Sequence, residues 1–237
     1  IGTKTQGLIF SPSKEITLDM YADADFAGMW NSNATEQDPV RVKSCSGHVI
    51  LLGNCPLLWA SKLQTEIACS TMEAEFIALS SAMHDLIPAR HILQAVGKVL
   101  ALSVLPGAQL KSTVFEDNNG CLTLATVPKM TPRSKHIGVK YFWFCSKVGP
   151  GTGISIVKCD THDMLADIFI KGLPMEAFSA LCLKLMGWTL VQEGVSQDKP
   201  STGLLNYLYS WMSKYGVVRP SYCRYLTSTE VPMLCCI

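Results

Sequence analysis

The stretch Ile16-Thr17-Leu18-Asp19-Met20-Tyr21-Ala22-Asp23-Ala24-Asp25-Phe26-Ala27-Gly28 sets the architecture. Its first seven residues are β-prone and partly alternate apolar with polar, then run into an acidic pair before a glycine. That order predicts a strand ending in a turn, with carboxylates at the edge of a sheet. After a polar, insertion-like stretch from Asn31 to Pro39, two apolar runs, Gly47 to Leu52 and Leu57 to Lys62, flank Gly53-Asn54-Cys55-Pro56. This is a hairpin signal.

Downstream, Ser70 with Glu73 three residues on forms a capping box. Phe76, Leu79, Met83, Leu86 and Ile87 then recur at helical spacing, so a long helix starts here. Pro88 is expected to kink or break it, leaving Ala89 to Val96 as a second piece. Lys111 to Phe115 reads as a strand running into Glu116-Asp117-Asn118-Asn119-Gly120, with a short helix over Cys121 to Thr126. Helices are expected over Ser134 to Val148, Thr161 to Ile170 and Met175 to Met186, and a strand over Ile154 to Lys158. Strands first, then strand and helix alternating, predict an α/β fold: a mixed β-sheet flanked by α-helices. The expected division is an N-terminal linker remnant over 1–14, one domain over 15–189, and a C-terminal extension over 190–237. The extension holds one amphipathic helix through Leu204, Leu205, Leu208, Trp211, Met212 and Tyr215.

Of the 237 residues, 48% are hydrophobic and 16% charged, enough for a core-forming domain; disorder is not the default. Formal net charge is +1, so any polyanion site must be local. Ten cysteines occur without a CxxC pair, which argues against a zinc site and against a disulfide framework and suits reduced thiols in an intracellular chain. Neither a membrane-spanning run nor a secretory signal is evident. Ile1 is not an initiator methionine, so a fragment or processed piece is expected.

Four predicted element ends each carry one acid: Asp23 after the first strand, Glu75 early in the long helix, Asp117 after a later strand, and Asp167 early in a late helix. Singly, each has a plain explanation as a solvated turn residue or a complement to a helix dipole. Together at one point they would repel strongly unless protons or cations neutralise them. Hard oxygen ligands favour magnesium or manganese. Two such ions about 3.5–4 Å apart activate a water on one side and stabilise a leaving oxygen on the other, the chemistry of phosphodiester hydrolysis.

Seven ordered motifs carry a resemblance: Tyr21 to Gly28, Lys43-Ser44-Cys45-Ser46-Gly47, Trp59-Ala60-Ser61-Lys62-Leu63-Gln64, Ser70 to Leu79, Glu116-Asp117-Asn118, Ser134-Lys135-His136-Ile137 and Leu165 to Leu173. Over roughly Ile16 to Trp188 the chain resembles the ribonuclease H domain at the C-terminal end of copia-type LTR retrotransposon polyproteins. The resemblance implies a ribonuclease H-like sheet and metal-binding, catalytic acids at Asp23, Glu75, Asp117 and Asp167, with two Mg²⁺ ions or Mn²⁺. It also implies an RNA–DNA hybrid substrate, a reverse transcriptase in the same polyprotein, no membrane, and a cytoplasmic (virus-like particle) or nuclear setting. Cys45, His48 and Ile170 depart from the family's usual Thr, Tyr and Thr; none is a metal ligand.

Around the acids, Glu73 is read as the capping-box partner and Asp25 as a turn or outer residue. His162 is either a mobile proton shuttle or an ordinary loop residue. His136 either touches substrate phosphate or is structural. Telling a hybrid from a DNA duplex requires contacts to 2′-hydroxyls across the minor groove. Ser44, Ser46, Asn118 and Asn119 are candidates for these, while Lys62, Lys129, Arg133, Lys135, Lys140 and Lys171 either meet phosphates or are solvated surface. Trp59 and Trp143 are expected in the core. An active hydrolase is the favoured reading. The alternatives are a silent or co-opted retroelement remnant that binds nucleic acid without cutting, and a nuclease of the same fold acting on DNA.

Overall fold

The computed structural model describes residues 8–9, 11–13, 16–31, 38–99, 110–127, 135 and 141–187. The extension expected over 190–237 and its amphipathic helix lie outside these residues. Five strands form one sheet: β1 (Leu18–Asp25), β2 (Cys45–Leu52), β3 (Cys55–Leu63), β4 (Ser112–Glu116) and β5 (Ile154–Lys158), in the order β3-β2-β1-β4-β5. β1, β2 and β3 pair antiparallel, whereas β4 runs parallel to both β1 and β5. Among the described residues, α1 (Thr71–Val99), α2 (Asn119–Thr126) and α3 (Met175–Leu185) pack against the sheet.

Strand alternation divides the core in two. Leu18, Met20 and Ala22 of β1, with Ile50 and Leu52 of β2 and Val114 of β4, face α1 and bury its Phe76, Leu79, Met83 and Leu86. From the opposite face Val49 and Leu51 meet Leu165, Ile168 and the α3 residues Leu181, Cys182 and Leu185. Tyr21 and Phe115, neighbours in the β1–β4 register, stack there at 4.4 Å. The β2–β3 turn is tight because Gly53 and Asn54 both adopt positive φ, 55° and 68°, the conformation that suits the twist of a two-residue hairpin. Pro56 is tolerated because β3 is an edge strand, and the register shifts beside it between Ile50 and Leu51.

Three expectations require correction. Pro88 does not break α1, which runs unbroken for 29 residues. The carbonyl it leaves without a donor belongs to His84, and both residues are exposed, so water can satisfy that group while Leu86, Ala89 and Leu93 stay buried. The segment Thr161 to Ile170 is not one helix but two 3-10 turns, Thr161–Asp163 and Leu165–Phe169. Met164 between them is extended and fully buried with Cys159 and Ala166 against Tyr21 and Phe115; burying it interrupts helical winding. Finally, of the helix expected over Ser134 to Val148, Lys135 and Tyr141 are helical, but the segment Phe142–Lys147 is a 3-10 helix whose Phe142 and Phe144 both lie against Phe76, at 5.2 and 5.5 Å.

Candidate metal centre

Because β1 and β4 run parallel as neighbours, their carboxyl ends emerge side by side. Asp23 near the end of β1 thereby comes close to Asp117, the residue after β4. Glu75 joins them from the second turn of α1. Its Oε2 accepts a hydrogen bond from the Ala24 N–H at 2.8 Å, fastening the helix to the strand end. The capping box forms as expected: the Glu73 N–H donates to Ser70 Oγ at 3.2 Å, and Glu73 Oε2 accepts from the Cys69 N–H at 2.9 Å. Carboxylate oxygens of Asp23, Glu75 and Asp117 all lie within 4.8 Å of one another.

Asp167 approaches from the opposite layer, on the Leu165–Phe169 turn. It sits early in that short 3-10 helix, beside Asp23 but outside the group of three. The Lys171 ammonium bridges it to the strand, 2.5 Å from Asp23 Oδ2 and 2.7 Å from Asp167 Oδ1. The approach is close because Gly47, paired with Asp23 across β1 and β2, has no side chain. A Cβ there would stand 2.6 Å from Ile170 Cγ2 and 3.2 Å from the Ala166 carbonyl oxygen.

Much of this cluster is buried. Asp23 is 0% exposed and Asp167 4%. Burial first, then the charges of Asp23 and Glu116, pushes the Glu75 carboxyl far above the ordinary range. Burial likewise raises Asp167, reinforced by Asp23 and opposed by Lys171. A fifth acid, Glu116, is fully buried behind the others, and burial pushes it up to about 8 despite the Asn118 N–H it accepts at 3.0 Å. Carboxylates so placed take up protons or a cation. Asp23 Oδ1 is buried and receives no hydrogen-bond donor among the described residues, while Oδ2 is met by Lys171 alone. An all-oxygen donor set with an orphaned buried carboxylate oxygen fits a hard divalent cation and favours it over zinc.

The other expected site residues scatter. His162 is exposed on the Thr161–Asp163 turn; its neighbour Thr161 donates through Oγ1 to Asp117 Oδ2 at 2.9 Å, so the turn adjoins the cluster. Ser44 and Ser46, expected as substrate contacts, have hydroxyls that the protein itself engages. Both are buried, Ser44 Oγ accepting from the Ala27 N–H at 3.2 Å and Ser46 Oγ from Gln64 Nε2 at 2.8 Å, so they hold the chain in place rather than face a ligand. Asn118 caps α2, its Oδ1 accepting from the Gly120 and Cys121 N–H groups. Asn119, Lys62 and Lys135 are exposed; His136, Lys129, Arg133 and Lys140 lie outside the described residues.

Asp25 ends β1 with its carboxyl raised by burial and sensing Lys171 and Asp167, at the margin of the cluster. Trp59 packs against the second core, but Trp143 is 37% exposed, stacked on His84 at 4.1 Å, with its indole N–H donating to Ser80 Oγ. The pairing role of Lys171 and the buried Glu116 were not anticipated. The i, i+4 spacing of Asp167 and Lys171 and the Glu116-Asp117 doublet were the available signals.

A mixed sheet in the order β3-β2-β1-β4-β5, helices on both faces and acids at the paired ends of β1 and β4 define a domain of the ribonuclease H-like class. No family model matches the chain. It is similar to the retrovirus-related Pol polyproteins from transposon RE2 of Arabidopsis thaliana (29% identical, covering 85% of this chain) and from transposon TNT 1-94 of Nicotiana tabacum (31% identical, covering 78%). It spans 12% of the length of each. Among solved structures it resembles the N-terminal RNase H domain of rv2228c from Mycobacterium tuberculosis (TM-score 0.41, 13% identity, 70% of this chain and 96% of that one). It also resembles the RNase H1 LC11 isolated from compost (TM-score 0.41, 18% identity, 70% and 98%). The chain is thus kin to one segment of the retrovirus-related Pol polyproteins of transposons.

Proposed function

We propose that the chain hydrolyses the RNA strand of RNA–DNA hybrids during retrotransposon reverse transcription, with two Mg²⁺ ions, or Mn²⁺, held by Asp23, Glu75, Asp117 and Asp167. The observation that carries this reading is the convergence of Asp23, Glu75 and Asp117 within 4.8 Å around a buried carboxylate oxygen that receives no donor among the described residues. Bound there, divalent ions activate water and stabilise the leaving oxygen of a phosphodiester.

The chain's own residues prepare that chemistry. The Ala24 N–H orients Glu75, and Thr161 orients Asp117, so both carboxylates are held before substrate arrives. The exposure of His162, one residue beyond Thr161, supports a role in carrying a proton to solvent. The amide nitrogen of Asn118 and the exposed Asn119 suit contacts to 2′-hydroxyls, and Lys135 suits a phosphate. Kinship with Pol polyproteins supports a reverse transcriptase in the same polyprotein as partner, and an intracellular setting, in a virus-like particle or the nucleus.

The test is cleavage of a labelled hybrid in Mg²⁺ by the chain and by its Asp23→Asn and Asp117→Asn variants. The parent is expected to cut and both variants to lose at least about a hundredfold in rate, since each removes charge from the cation site. A parent that binds hybrid yet leaves it intact in Mg²⁺ and in Mn²⁺ favours the binding-only remnant instead.

A further inference from the structure

The acids divide unequally between two kinds of neutralisation. Asp23, Glu75 and Asp117 form one group, in which Asp23 Oδ1 has no donor among the described residues. Asp167 faces Asp23 across a single ammonium, that of Lys171, which contacts both carboxylates. Lys171 is held there by the chain as well as by charge. Its own N–H donates to the Asp167 carbonyl at 2.9 Å, so one tight turn carries the acid and its counter-ion together. Its side chain is 32% exposed, against 0% for that of Asp23, so the ammonium lies between the buried acid and solvent.

An ammonium 2.5 and 2.7 Å from two carboxylates takes the charge neutralisation that a cation shared by Asp23 and Asp167 would supply. We infer that Lys171 is a resident counter-cation that closes the Asp23–Asp167 half of the centre, so that the chain alone takes one divalent ion at Asp23, Glu75 and Asp117. The second ion enters only when a substrate phosphate draws the lysine outward. Lys171 thus acts as a positioning residue that couples loading of the centre to the presence of a polyanion. A long, flexible stem ending in a compact charge suits this exchange, because it can leave the carboxylates for a nearby phosphate without moving the backbone. The inference rests on the metal-dependent reading above and goes beyond it by assigning an order of loading.

The experiment is Mn²⁺ titration of metal-free protein without nucleic acid, read by electron paramagnetic resonance for stoichiometry and by melting temperature. The parent and Lys171→Arg are expected to bind one ion. Lys171→Met is expected to bind two, the second at least about tenfold more tightly than in the parent, because the competing charge is gone. It should also melt lower than the parent without metal and gain more from Mn²⁺. Lys171→Gln, which keeps hydrogen-bond donors but no charge, should also bind two and provides the reading if the methionine variant does not fold. Two ions of equal affinity in the parent, or one ion in every variant, overturn the inference while leaving a metal centre in place. No Mn²⁺ binding in any protein overturns the metal-dependent reading along with it.

Discussion

Gly47 lies directly across the β1–β2 ladder from Asp23, and the missing side chain is what lets the turn bearing Asp167 close over the strand. A methyl group there meets Ile170 Cγ2 at 2.6 Å and the Ala166 carbonyl oxygen at 3.2 Å, and neither is the free end of a flexible chain. Gly47→Ala is therefore expected to cost about 1–3 kcal/mol of stability in urea unfolding, the usual penalty of overpacking. The Asp23–Lys171–Asp167 contact should loosen with it. A variant as stable as the parent would show that the turn has room to spare.

Without metal, stability should fall as pH rises. The folded-state carboxyls of Glu75, Glu116 and Asp167 are raised by burial, so between the unfolded carboxyl range and their folded values the native state binds more protons than the unfolded chain. The stabilisation is full below about pH 4 and drains away as pH climbs through the folded values, which for Glu116 is about 8. In EDTA the melting temperature is thus expected to decline from pH 5 to 9, and saturating Mg²⁺ should flatten the decline by replacing protons with a cation. A melting temperature that rises over that window in EDTA contradicts the electrostatic account.

Thr161 is the hydroxyl that holds Asp117, donating to Oδ2 at 2.9 Å from an exposed turn. Thr161→Val keeps the shape and removes the donor; Thr161→Ser keeps the donor. Mn²⁺ affinity is expected to drop about threefold to tenfold in the valine variant, the size of one modest hydrogen bond, and to hold in the serine variant. Equal affinities in the two would place Thr161 outside the centre's control.

Arg90 supplies the contrast of a buried charge with no part in the site. Its guanidinium donates to the Leu110 carbonyl at 2.6 Å, Ser112 Oγ at 2.7 Å, the Gly153 carbonyl at 3.2 Å and the Thr152 carbonyl at 3.3 Å, tying α1 to the starts of β4 and β5. Arg90→Met should cost about 2–4 kcal/mol, because buried acceptors lose a charged donor. Mn²⁺ affinity measured under native conditions should be unchanged.

Much of this organisation was legible in residue order. Alternation in β1, the Gly53-Asn54 turn and the Ser70–Glu73 box locate the sheet and the start of α1, because each is a local rule acting on neighbours. Each of Asp23, Glu75 and Asp117 was legible as an acid near an element end, but the parallel pairing of β1 and β4 that sets Asp23 beside Asp117 was not. Pro88 misled because its penalty depends on whether the His84 carbonyl faces water, which spacing alone does not reveal. The Thr161 to Ile170 segment misled because a buried Met164 outweighs helical propensity there. Ser44 and Ser46 looked available beside the acids, yet hydrogen bonds to Ala27 and Gln64 turn them inward. Nothing local announces that Lys171 folds back onto Asp23, a contact made across 148 positions of chain.

The most direct test labels the two strands of a hybrid separately and incubates it with the chain in Mg²⁺ and, in parallel, in EDTA. The acidic centre predicts shortening of the RNA strand alone, in Mg²⁺ alone. Shortening of the DNA strand, cleavage that persists in EDTA, or an intact hybrid in Mg²⁺ would contradict it.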